Sequence, residues 1–115
     1  MAGMAEDHPV PARAALLARL AGLGLALPHV STPKGVYVPA VRSGRQVAVS
    51  GQVPLVDGAL VATGRVGDTV TPREAYELSR RCALAALAAA DSVAGRAAGA
   101  GVVEAGGDVA VADGL

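Results

Sequence analysis

At 115 residues and 11.2 kDa the chain is one domain or part of one, since two independent cores need more length. Hydrophobic residues at 52% and charged residues at 17% exclude a wholly disordered chain. Ten cations balance ten anions, and no basic stripe is interleaved with aromatics, so nothing points to nucleic-acid binding on electrostatic grounds.

Residues 1–10 read as a loose leader. From Pro11 the spacing predicts a helix, with Ala14, Leu16, Leu17, Leu20 and Ala21 on one face. Gly22 and Gly24 end it, and Pro28 prevents resumption. Val36 to Arg42 reads as a strand with Pro39 at an edge or bulge, followed by a tight turn at Ser43-Gly44. Gln46 to Val53 alternates, with Val47, Val49, Gly51 and Val53 on one face and Ala48, Ser50 and Gln52 on the other. Asp57-Gly58 is a hairpin signal, and Ala59 to Val66 returns as a third strand, so 36–66 is expected to form an antiparallel meander. Thr71-Pro72-Arg73-Glu74 is a capping box, with Thr71 on the N3 amide and Glu74 reaching back to the Thr71 amide. It opens a helix from Pro72 to about Val93, stopped at Gly95, with Leu78, Cys82, Ala85, Ala89 and Val93 facing a sheet. Val102-Val103 and Val109-Ala110-Val111 then suggest one strand, bulged at Gly106-Gly107, and Asp113-Gly114 a further turn.

The core should be thin. The chain has 26 Ala, two Tyr, and neither Phe nor Trp. A fully buried large side chain contributes about 1.5–3 kcal/mol that Ala cannot match, so an oligomer would repair the deficit. Cys82 alone allows neither an internal disulfide nor a multi-cysteine zinc site, and it reads as a small buried hydrophobe. His8 and His29 have no second ligand at metal spacing and read as loop residues. The apolar runs are too short to span a bilayer, and the N-terminus lacks the pattern of a secretory signal. The expected location is therefore cytoplasmic, with no membrane partner.

The run Gly35-Val36-Tyr37-Val38-Pro39, followed by Ser50-Gly51-Gln52-Val53-Pro54, resembles the N-terminal half of the RidA family, also called YjgF or L-PSP endoribonuclease-like. Gly64-Arg65-Val66-Gly67, the Thr71-capped helix and the Asp108-to-Gly114 stretch agree with it. The division is then a leader and short helix over 1–27 and a partial RidA-like domain over 28–115. The resemblance implies an α+β fold, chorismate-mutase-like, in which an antiparallel sheet is packed by a long helix. It also implies a homotrimer with ligand clefts between subunits. The implied activity is hydrolysis of enamines and imines such as 2-aminoacrylate to 2-keto acids and ammonia, without a cofactor. The small-molecule partner is thus an enamine, an imine or a keto acid.

Carried over by position, Tyr37 and Ser50, with Gly51 beside them, line the substrate cleft. Read without the resemblance, Tyr37 is an amphipathic edge residue and Ser50 a satisfied strand hydroxyl. The family's carboxylate-binding arginine and late acidic residue lie on strands beyond the matched residues, and Arg42, Arg45 and Arg65 match neither. No catalytic residue is assigned, and the expectation is of an incomplete chain, with its C-terminal part missing, or an inactive one. A non-catalytic trimer that binds a small metabolite or a protein is the alternative. Ribonuclease action is disfavoured by the neutral charge and the lack of paired acid–base groups.

Overall fold

The computed structural model describes residues 9–30, 38–94 and 105–114. Helix α1 spans Pro9–Gly22, strands β1 and β2 span Ala40–Ser43 and Gln46–Val49, β3 and β4 span Leu55–Val56 and Ala59–Leu60, and helix α2 spans Pro72–Ala94. The class is α+β, with small antiparallel sheets and a long helix.

α1 begins two residues earlier than its spacing suggests and ends in a Schellman motif. Gly24, at φ +75°, donates to the Ala21 carbonyl at 3.0 Å, and Leu25 donates to that of Leu20 at 2.8 Å. Gly24 is therefore the stop, while Gly22 is still helical. Leu20 is the buried anchor of this helix, and Leu16 and Leu17 are half-buried.

β1 and β2 form a hairpin in the register Ala40↔Val49 to Ser43↔Gln46. Its two-residue loop is Gly44-Arg45, one position later than expected, and Gly44 at φ +59° suits the first loop position of a type II′ turn. Val47 and Val49 face inward and Gln46 and Ala48 outward, as the alternation requires. The strand does not continue to Val53, however, which is exposed. The reason lies opposite. Ser50 donates its amide to the Pro39 carbonyl at 2.9 Å, but Pro39 has no N–H to return. The Ser50 carbonyl takes the Gln52 side-chain amide instead, at 2.9 Å, and the ladder closes there.

The expected third strand of the meander is likewise not one strand. Ala59 and Leu60 pair with Val56 and Leu55 in a separate hairpin around Asp57-Gly58, whose φ values of +52° and +81° fit a type I′ turn. Gly64 breaks any continuation: its φ is +138°, and a Cβ there would collide with the Thr69 side chain. Val66 then sits in a tight loop and bridges Val111 in parallel, donating to the Ala110 carbonyl at 3.0 Å and accepting from Ala112 at 2.9 Å. The expected late strand is reduced to this bridge among the described residues, and Asp113-Gly114 turns as expected. Val102-Val103 and the Gly95 stop lie outside the described residues.

α2 starts at the expected cap. The Thr71 hydroxyl accepts from the Glu74 amide at 3.1 Å. The Glu74 carboxylate accepts from that same hydroxyl at 3.0 Å, in place of the expected bond from the Thr71 amide. The helix packs across β1 and β2 and buries Ala88, Ala89 and Ala94, while Leu78, Cys82, Ala85 and Val93 are half-buried. With Leu20, Ala40, Val66 and Val70 these alanines complete the described core, and no large side chain is fully buried. A core of methyl groups brings helix and hairpin close but removes little surface from water. Asp91 of α2 lies against α1 and accepts from Arg13 Nε at 3.1 and 3.2 Å.

Candidate functional site

The sequence singles out Tyr37, Ser50 and Gly51. Ser50 and Gly51 lie where β2 runs out of ladder partners, so the chain turns outward at that point. The Ser50 hydroxyl donates to the Val38 carbonyl across the hairpin, at 2.6 Å. That bond fixes the proton on the strand side and leaves the oxygen lone pairs free to accept. Gly51 is exposed, and a Cβ there would meet nothing within 4 Å, so a ligand or a second chain can approach its backbone. Tyr37 lies outside the described residues, immediately before Val38.

The hairpin is tied at both of its ends. Gln52 folds back on the Ser50 carbonyl, as above. Arg42, on β1, donates from Nη1 to the Ala94 carbonyl at 2.9 Å and from Nε to the Gly44 carbonyl at 3.1 Å. It therefore caps the C-terminus of α2 and holds the hairpin turn against it. Nothing in the local sequence marks this role, since Arg42 and Ala94 meet only in the fold.

Neither Ser50 nor Gly51 lines either of two open clefts found among the described residues. Both clefts flank Pro28 and His29, against α2. Cys82 is half-buried, and partial burial pushes its thiol up from the ordinary value, which keeps it protonated. Among the described residues no group of His, Cys, Asp and Glu could hold a metal ion, and no helix is long and apolar enough to cross a membrane.

No protein-family model matches the chain. Protein TCP17 of Trypanosoma cruzi is 40% identical over 75 residues, which are 65% of this chain and 47% of that protein. A crystal structure of a candidate endoribonuclease from Shewanella oneidensis matches 68% of this chain and 52% of its own, at 36% identity and a TM-score of 0.62. A protein of unknown function from Agrobacterium tumefaciens matches 66% of this chain and 44% of its own, at 36% identity and a TM-score of 0.55. The chain thus spans about half the length of the relatives it matches. The hairpin with its packed long helix places it in the α+β class of those two structures. The likeness to these structures supports the resemblance read from the sequence, and the chain is RidA-like.

Proposed function

We propose that the chain supplies the Tyr37–Ser50–Gly51 wall of a cleft between subunits of a homotrimer, a cleft that takes a small enamine or imine and its 2-keto acid. The observation that supports this reading is the exposed end of β2. There a Ser hydroxyl has its proton engaged and its lone pairs free, beside a glycine open to approach. In hydrolysis of 2-aminoacrylate the enamine becomes an imine by moving a proton to its terminal carbon. Water then adds to the C=N carbon, the C–N bond breaks, and ammonia leaves the keto acid. A lone-pair acceptor such as Ser50 Oγ suits the imine N–H or the attacking water. Gripping the carboxylate needs a guanidinium in the same cleft, and none of the arginines here matches that position of the family.

The test generates 2-aminoacrylate with a serine dehydratase and follows keto-acid release with and without the purified 115-residue chain. Little or no acceleration is expected, because positioning and charge stabilisation supply several kcal/mol of such a barrier. A strong acceleration lost in Ser50→Ala or Tyr37→Phe would show that these residues suffice. The second reading, a non-catalytic binding module, is favoured by the same unmatched arginine. It predicts saturable keto-acid binding that Ser50→Ala weakens, with no turnover by any assembly that contains the chain. Ribonuclease action, which the Shewanella protein's description suggests, has little support in a chain with ten cations and ten anions.

A further inference from the structure

A cleft of about 140 Å³ opens where the segment after α1 meets the loop after β2 and the middle of α2. Pro28, Val53, Leu55 and Leu84 give it apolar walls, and its charged or titratable groups are His29 and Arg81. Neither Asp nor Glu lines it among the described residues. Glu77, one turn before Arg81, is turned to Arg80 at 3.6 Å, and Arg80 lies over the Tyr76 ring at 5.2 Å. Arg81 itself makes no ion pair among the described residues. An apolar recess with one uncommitted guanidinium and one imidazole is suited to a small anion that has a hydrocarbon body. Its apolar wall is short, running over Val53, Leu55 and Leu84 beside Arg81, which suits a guest with a short hydrocarbon body.

We propose that this cleft binds a short-chain aliphatic carboxylate. The carboxylate pairs with Arg81, with the His29 imidazole as a second donor, and the alkyl body lies on Leu55 and Leu84. The site is separate from the Ser50–Gly51 strand end and does not depend on the activity proposed there.

The test is a titration of the ¹⁵N-labelled chain, followed by amide chemical shifts at constant ionic strength. The probes are sodium butyrate, butylammonium chloride and inorganic phosphate. Butyrate is expected to give saturable shifts at His29, Leu55, Arg81 and Leu84. Arg81→Gln, at an exposed position, should weaken that binding about tenfold or more. Ala85→Leu, which fills the recess beside Leu84, should weaken it as well, and Arg81→Gln decides alone if that variant does not fold. Shifts that do not saturate, an equal response to butylammonium or to phosphate, or undiminished binding by Arg81→Gln would each overturn the proposal.

Discussion

Replacing Arg42 by Met keeps the aliphatic stem on β1 and removes both hydrogen bonds of the guanidinium. The bond to the Ala94 carbonyl is part-buried and charge-assisted, and such bonds contribute about 1.5–3 kcal/mol before solvent screening. The cation also faces the negative end of α2, an effect of about 0.3–1 kcal/mol. The bond to the Gly44 carbonyl is exposed, and water replaces it at little cost. Screening reduces the sum, because the side chain is exposed, and the net loss should be about 1–2 kcal/mol. For a chain of this length that lowers Tm by about 4 °C per kcal/mol. Thermal unfolding followed by circular dichroism, at one fixed protein concentration, reads the shift. Arg42→Lys should recover only part of the loss, because an ammonium lacks the planar fork that reaches both carbonyls. A Tm for Arg42→Met within a degree of the parent, or full recovery by Lys, would refute the clip.

Gly64→Ala should destabilise more than any surface change, since it meets both the Thr69 side chain and a φ of +138°; adding Thr69→Ala should relieve the collision and leave the backbone strain, as denaturant midpoints would show. Thr71→Ala should cost about 1 kcal/mol through loss of the α2 cap, while Thr71→Ser retains most of it, and urea unfolding separates the two. The Cys82 thiol should alkylate slowly with iodoacetamide at neutral pH and faster as pH rises. Its folded value lies above its unfolded one, so the protonated fold is favoured at neutral pH. That advantage fades as pH climbs from about 8.5, the ordinary thiol value, towards the raised one, and Cys82→Ala should flatten this part of a stability–pH curve.

The parts of the fold legible in the sequence are those set by near neighbours. Asp57-Gly58 turns a hairpin because its two residues accept positive φ, Thr71 caps the amide three residues on, and Gly24 closes a helix two residues after its last turn. The end of β2 was half legible. Pro39 marked an edge, but only the register with Ser50 shows which carbonyl it leaves without a donor. Contacts between distant residues were not legible. Arg42 with Ala94, Arg13 with Asp91 and Val66 with Val111 have no local signature, and the last of these is what remains of the expected late strand. For the candidate site, the residue types are legible in the sequence, while the direction of the Ser50 proton comes only from the fold.

The parallel bridge at Val66 also bears on the order in which the chain folds. Both hairpins join residues a few positions apart and can close in microseconds. Val66 must wait for Val111, with all of α2 lying between them, and its reward is two backbone hydrogen bonds. A contact so distant along the chain and so thinly bonded forms last and opens first. The Val66 and Ala112 amides should therefore exchange with solvent well before the amides in the middle of α2, through an opening that leaves the helix on its hairpin.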